Sequence, residues 1–589
     1  MTRLGRLHVK LAAGVSCFAL ASCASVDIRN ETNSVARSPA DTYSLHAYVT
    51  KQGTIYDLTM TAIATSNSPV TYSGMSSSDG ANFFGDAPSN PCNQVLSVQY
   101  EAKYRTQPAG SFKSKKSPGV GAHQIPIDGA PPASCGATGG ANHVFKVNST
   151  VDVVDSNPGD GVCSTGAVTT NGLPICTLRA AVMEANALAG VDLIEVPAGV
   201  YTLTIPDVGP ASESEANAAV GDLDITEGVT IIGTTTNAYL GSGSSEQTVI
   251  KPTAIVDGNH ANRVFDLHTA HPDFATTPDA GWTPDRIVEL QKLTIRNGKL
   301  GLEHSGAGVL NRGFLRLKQV VFDSNQVNSL NNSSTVSDAP GGALANFGVV
   351  EGSELYFLRN VASDGGAFLN RGTATLSMSG FFFNTARGGG HAIENEGGTA
   401  NLTLENVSFG KNGYFALPQP PAGTTPIGGG GDGGFAIVNS GGSILMRWVT
   451  LFSNKGGFWN SSGSINMTAT LSGGNAFMNC AGTIAGAGVG SMIAPNPSYG
   501  YGPCSLSTTA FTPPSTVQLA KGVSPVFYTP KTAPWRNLVA LALCPTRDQR
   551  NNSRTPVISS SPQQCDSGAV EYEEDLDSTR IMTAASVNY

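Results

Sequence analysis

The chain has 589 residues, of which only 13% are charged while 69 are glycine, and its formal net charge is -9. Such a composition does not describe a helical cytosolic enzyme, and a negative chain without a basic patch is not a nucleic-acid binder. It suits an exported, β-rich protein.

Arg3, Arg6 and Lys10 precede an apolar run from Leu11 to Leu20 that is too short to span a bilayer, which is the layout of a signal peptide over residues 1–22. The run ends in Leu20-Ala21-Ser22-Cys23, which resembles the bacterial lipobox. That resemblance implies a lipid on Cys23. No aspartate follows at Ala24 or Ser25, so the same resemblance implies an outer-membrane or cell-surface address rather than inner-membrane retention.

A polar tether is expected over 23–41. Beyond it, Tyr43 to Val49 and Val95 to Tyr100 alternate with the two-residue period of half-buried strands, and a small β-sandwich-like domain is expected over 42–140. It closes in the Gly- and Pro-rich run from Gly129 to Gly136.

Next come Val144-Phe-Lys-Val147, the turn-rich Asp155-Ser-Asn-Pro-Gly-Asp160-Gly-Val-Cys163, and Cys176-Thr-Leu-Arg-Ala-Ala-Val-Met-Glu184-Ala-Asn186. This module resembles the entry segment of the CSLREA-motif proteins, bacterial surface proteins similar to pectin-lyase-like β-helices. On its own residues, Cys176 to Ala189 is an amphipathic helix with Leu178, Val182 and Ala185 on one side and Arg179 and Glu184 elsewhere. Such a helix would cap the open apolar end of a solenoid. Ile194 to Leu203 is expected as a first strand, and Gly221-Asp222-Leu-Asp224-Ile and Val229 to Gly233 continue the resemblance.

From about Asp285 the chain repeats itself. Phe-x-x-Asn recurs at Phe322–Asn325, Phe357–Asn360, Phe381–Asn384 and Phe409–Asn412, with a weaker copy at Leu451–Asn454. It alternates with Gly341-Gly-Ala-Leu-Ala-Asn346, Gly365-Gly-Ala-Phe-Leu-Asn370, Gly390-His-Ala-Ile-Glu-Asn395 and Gly434-Phe-Ala-Ile-Val-Asn439. The shortest spacings between these asparagines match one coil of a right-handed parallel β-helix, expected over 144–571 with loops inserted into the longer coils. Glycines allow tight corners, apolar residues fill the narrow interior, and stacked asparagines bond along the axis, so the ladders are structural. Both repeats also resemble those of polymorphic outer membrane proteins, which are surface adhesins, although no C-terminal membrane barrel is recognisable here.

Cys544-Pro-Thr-Arg-Asp548-Gln-Arg550 and Cys565-Asp566-Ser-Gly-Ala-Val-Glu571 resemble the terminal signatures of CSLREA-type chains, with Asn551 replacing the usual glycine. The tail, 572–589, is acidic and then polar and is expected to be disordered. With Cys17 lost and Cys23 lipidated, eight cysteines remain in sequence-local pairs: Cys92 with Cys135, Cys163 with Cys176, Cys480 with Cys504, and Cys544 with Cys565. Disulfides are expected in that order, among many connectivities that sequence alone leaves open. Metal use of these thiols lacks a CxxC spacing.

For chemistry, a lyase-like elimination on an acidic polysaccharide needs a cation and a base. Candidate groups are Arg387, His391 and Glu394, and in another coil Lys299, Glu303 and His304. His391 replaces a repeat alanine beside Gly390, and Glu394 stands where Leu310, Ala345, Leu369 and Val438 occur. Arg371 and Glu396, each following a ladder asparagine, are expected to form a solvated ion pair. No metal site is assigned and no cofactor is implied; Asp222 with Asp224, or Asp155 with Asp160, could take calcium, turn-capping being the commoner use. Serine-triad elbows, phosphate loops and HExxH are missing. Two readings follow: a lipid-anchored surface protein that binds polysaccharide or a host or neighbouring cell surface without catalysis, and a polysaccharide lyase or hydrolase. The inserted loops Ser329–Pro340 and Tyr414–Ile427, the second with aromatic Tyr414 and Phe415, bear on which holds.

Overall fold

The computed structural model describes residues 143–494 apart from 189, 208–216, 241–246, 269–286, 302–303, 328–339, 415–433 and 488–489. Before these it describes the strands and some turns of 25–128, and after them short stretches within 504–582. The expected signal peptide, Cys23, Cys92 and Cys135, and nearly all of the two inserted loops lie outside the described residues. Among the described residues no helix is long and apolar enough to cross a membrane.

The N-terminal unit is a sandwich of largely antiparallel sheets, as expected, with one parallel pair between Val35–Ala36 and His123–Asp128. One sheet joins Ser25–Asn30, Thr42–Gln52 and Asn82–Pro88, and the other is built on Tyr56–Thr65 and Val95–Arg105. Val26, Ile28, Leu45 and Phe83 from the first sheet share a core with Met60, Val98 and Tyr100 from the second. The sandwich therefore begins earlier than expected. Val26 and Ile28 are buried while Asp27 between them is exposed, so part of the presumed tether is a strand with a two-residue period.

From Val144–Lys146 to Met492–Ile493 the chain winds as a parallel β-helix. One coil supplies Val309–Asn311, Phe314–Lys318 and Val321–Asp323, and each pairs in parallel with its counterpart in the next coil, Leu344–Asn346, Val349–Ser353 and Tyr356–Leu358. Side chains alternate inward and outward along these strands. Inside, Phe322, Phe357, Phe381 and Phe409 stack with ring centroids 4.8, 4.4 and 4.9 Å apart. A second inward column runs through Val309, Leu344, Phe368, Ile393, Ile437 and Phe458.

Both asparagine ladders form at buried corners. Asn311, Asn346, Asn370, Asn395 and Asn439 each donate Nδ2–H to the Oδ1 of the next ladder asparagine at 2.8 Å, the last step reaching Asn460. Sequence separations along it are 35, 24, 25, 44 and 21 residues, so long insertions leave the register untouched. The second ladder runs from Asn325 through Asn360, Asn384, Asn412 and Asn454 to Asn475. In each Phe-x-x-Asn turn the residue before asparagine is left-handed: Ser324, Arg359, Phe383, Lys411 and Ser453 have φ between 56° and 58°. That conformation is costly outside glycine. It is held because each following asparagine accepts the backbone N–H of the asparagine one coil earlier, as Asn360 does from Asn325. Gly341, Gly365, Gly390 and Gly434 supply the other left-handed corner.

The N-terminal end is closed by the helix Leu178–Ala187, capped where Thr177 Oγ1 accepts the Ala180 N–H. Arg179 and Glu184, expected off the apolar side, are both buried. Arg179 donates to Asp152 and to the carbonyls of Ala218, Gly221 and Asp222. Glu184 accepts the backbone N–H groups of Gly159 and Gly161. Each of these buried charges thus saturates backbone groups of the loops packed around the helix. Cys163 and Cys176 are bridged beside the helix, and Cys480 and Cys504 are bridged near the last coils. Cys544 is also disulfide-bonded, while the side chain of Cys565 lies outside the described residues.

The C-terminal boundary differs from expectation. Coils end at Met492–Ile493, and the later strands are short antiparallel pairs. Buried Gln549 accepts from Ser408 Oγ and donates Nε2–H to the Ser379 carbonyl, 141 and 170 residues earlier. Ala569 N–H donates to Thr450 Oγ1. The terminal signature is therefore a clasp laid against finished coils rather than further coil. The tail, expected to be disordered, contributes the strand Ile581–Met582, paired with Val517–Leu519 through an apolar dipeptide that the acidic composition around it concealed.

Candidate functional site

One outward-facing row of one β-helix wall collects the residues with chemical potential. In register it reads Asp224, Asp266, Leu310, Ala345, Leu369, Glu394 and Val438. Leu310, Ala345 and Leu369 form an apolar patch on that row. Acidic residues stand at either end.

At the end near the cap, Leu223–Ile225 and Phe265–Leu267 each turn two apolar residues inward and one aspartate outward. Asp224 and Asp266 are thereby side by side. His268, one residue beyond its strand, places Nε2 2.8 Å from Asp224 Oδ1 and 3.5 Å from Asp266 Oδ1. Two arginines complete the group. Arg263 Nη1 lies 2.6 Å from Asp266 Oδ2 and 3.1 Å from Asp222 Oδ2, and Arg312 Nη1 lies 2.6 Å from Asp266 Oδ1. Asp224 and Asp266 are almost completely buried, whereas His268 and Arg312 reach the rim.

The electrostatics follow from burial. Desolvation lifts the Asp224 carboxyl to about 6 against the hydrogen bond from His268. Burial raises Asp266 as well, opposed by the charges of Arg263 and Arg312. For His268, burial lowers the pKa, but the hydrogen bond to Asp224 and the charges of Asp266 and Asp224 more than offset it, leaving the imidazole above its ordinary value. Asp224 Oδ2 is buried without a hydrogen-bond partner. No protein-family model, curated protein or solved structure matches the chain.

The sequence-selected trio is not assembled into comparable chemistry. His391 occupies the position of Gly342 and Gly366 in the stack, since Ala392 holds the repeat alanine, so the expected alanine replacement is a glycine replacement. Its ring is buried, with Nδ1 accepting the Ala386 N–H at 3.0 Å. Desolvation, with the Lys455 charge, pushes it down to about 3. A ring that stays neutral and already spends its acceptor on a backbone amide is a poor base. Glu394 accepts from Ser440 Oγ at the far end of the row. Arg387 lies in the turn after Thr385–Ala386, its guanidinium pKa lowered by burial.

Elsewhere the charges pair across coils. Arg371 and Glu396 form the expected half-exposed pair at 2.9 Å, and Arg316 bridges Glu289 and Glu351. Lys299 begins the short strand Lys299–Leu300, and Glu303 lies outside the described residues. Asp155 spends both oxygens on the N–H groups of Asn157 and Ser164, and Asp160 accepts from Val162 N–H and the Asn157 side chain, which are turn-capping roles. Asp222 and Asp224 belong instead to the buried cluster.

Proposed function

We propose that this protein is held outside the cytoplasm by a lipid on Cys23 and binds extended glycans along its β-helix without cleaving them. The observation that carries this reading is a polar outer face on the later coils. Thr373, Asn401, Ser443 and Ser464 stand in register there, beside the parallel row Thr375, Thr403, Leu445 and Asn466. All are exposed or half-buried. Hydroxyls and amides repeated at the interstrand spacing of roughly 4.8 Å offer a regular set of donors and acceptors to a polymer that also repeats its polar groups. The likeness of the repeats to those of surface adhesins, and of the entry module to CSLREA-motif proteins, supports the same reading.

The competing reading is a polysaccharide lyase or hydrolase acting on an acidic glycan. It is the weaker one because His391 is buried and neutral, and because the acidic pair Asp224 and Asp266 is too enclosed to meet a polymer chain. To test the proposal, full-length protein would be passed over immobilised pectate, alginate, glycosaminoglycans and bacterial exopolysaccharides while the ultraviolet absorbance of unsaturated sugar, for elimination, and new reducing ends, for hydrolysis, are followed. Retention without an absorbance rise is expected. Replacing Thr375 and Thr403 together by glutamate should weaken retention of acidic glycans at least roughly tenfold while leaving stability nearly unchanged. An absorbance rise, a release of reducing ends, or retention indifferent to the double substitution overturns it.

A further inference from the structure

We propose that Asp224, Asp266 and His268 form a binding site for a divalent transition-metal cation of the zinc class. The three offer one imidazole nitrogen and two carboxylate groups whose ligating atoms all lie within 4.8 Å of one another. A mixed nitrogen and oxygen donor set with imidazole suits zinc-class ions better than calcium or magnesium, which take oxygen. Donors bound tetrahedrally to zinc at about 2.0–2.1 Å sit about 3.3 Å apart. His268 Nε2 is already 2.8 and 3.5 Å from the two carboxylates, so only a small opening of the His268–Asp224 contact is required.

The independent pointer is Asp224 Oδ2, which is buried and has no hydrogen-bond partner. Its side chain is 1% exposed. A carboxylate oxygen removed from water and left unpaired is unfavourable unless a proton or a cation occupies it. With Asp224 1% and His268 15% exposed, the rim nearest this oxygen is the His268 side. Arg312 and Arg263 do not close the site, because a carboxylate has about four lone-pair positions and each arginine takes one on Asp266. They would hold Asp266 in place, as hydrogen-bonded second partners of metal ligands do. They also add positive charge. The competing account is therefore that a proton, not a metal, fills the gap.

The deciding experiment strips the full-length protein with chelator and titrates it with zinc, and separately with calcium, by calorimetry, following the thermal midpoint in parallel. Expected are one zinc per chain, a raised midpoint and negligible response to calcium. Asp224→Asn retains an oxygen to accept from His268, so it should fold; it should weaken zinc binding roughly 100-fold. Cobalt substitution gives a second readout, a visible absorption band that should appear in the native protein and vanish in the variant. No zinc response in the native protein leaves the proton as occupant and overturns the proposal. Equal affinity in Asp224→Asn places the zinc elsewhere, and a preference for calcium rules out imidazole ligation; either also overturns it.

Discussion

At the scale of single residues, His391 shows how an apparent break in a repeat need not be a site. Its sequence neighbours, Arg387 and Glu394, invited a catalytic reading, yet the coil geometry buries its ring beside Lys455, Gly413 and Gly434. Its pKa of about 3 lies below the ordinary imidazole value of 6.5, so the folded state binds fewer protons than the unfolded one. Its contribution to stability is therefore complete above pH 6.5 and is lost as the pH falls toward 3. Between pH 6.5 and 5 this amounts to about 2 kcal/mol. His391→Asn preserves an acceptor for the Ala386 N–H and removes the titration. The expected outcome is a flatter dependence of thermal midpoint on pH over that interval; parallel curves for variant and native protein would show that His391 is not the titrating group.

The elements were most legible where they repeat, although the cap helix and the N-terminal sandwich strands, which do not repeat, were also legible from their own periodicities. Phe-x-x-Asn and the glycine-led repeat declared both ladders because each coil contributes one residue of the same kind, and even the 35- and 44-residue steps keep the 2.8 Å amide contact. Asn460 and Asn475 extend the ladders beyond the obvious repeats, Asn460 closing Gly456-Gly-Phe-Trp-Asn460, a glycine-led repeat shortened by one residue. The acidic cluster stayed hidden for a related reason. Asp224 and His268 are 44 residues apart in coils that precede the repeats, so nothing in the sequence set their register. In retrospect Leu223-Asp-Ile225 and Phe265-Asp-Leu267 share one signal, an outward acid between two inward apolar residues. Arg179 and Glu184 lie off the apolar side of the helix as read, but they are buried because their task is to saturate loop backbone. The ladders make a quantitative expectation. Asn384 receives the Asn360 backbone and side-chain N–H groups and donates to Phe357 O and Asn412 Oδ1. Asn384→Ala should cost about 3 kcal/mol by denaturant melts, because it orphans several buried groups at once. Exposed Asn466→Ala should stay within about 0.5 kcal/mol.

Across the whole molecule, the β-helix stabilises itself coil upon coil, and its ends need separate treatment. The cap helix closes one end. The C-terminal clasp instead returns to the flank, where Gln549 occupies a place that Ser379 and Ser408 offer between adjacent coils. Gln549→Ala should loosen the clasp without unfolding the coils. Limited proteolysis should then nick the C-terminal segment about ten times faster, consistent with losing one or two buried hydrogen bonds, while the main thermal transition moves little. Unchanged cleavage would mean that the clasp is held by other contacts.

Because hydrogen bonds between coils run along the helix axis and the covalent chain runs around it, the two resist load in different directions. A pull along the axis is carried by each coil junction in turn, as links in a chain carry a weight. The weakest junction yields first, and a freed coil of 24 residues pays out roughly 80 Å of slack before the next junction feels the load. A molecule built this way should lengthen in steps under tension while most of its length keeps its shape.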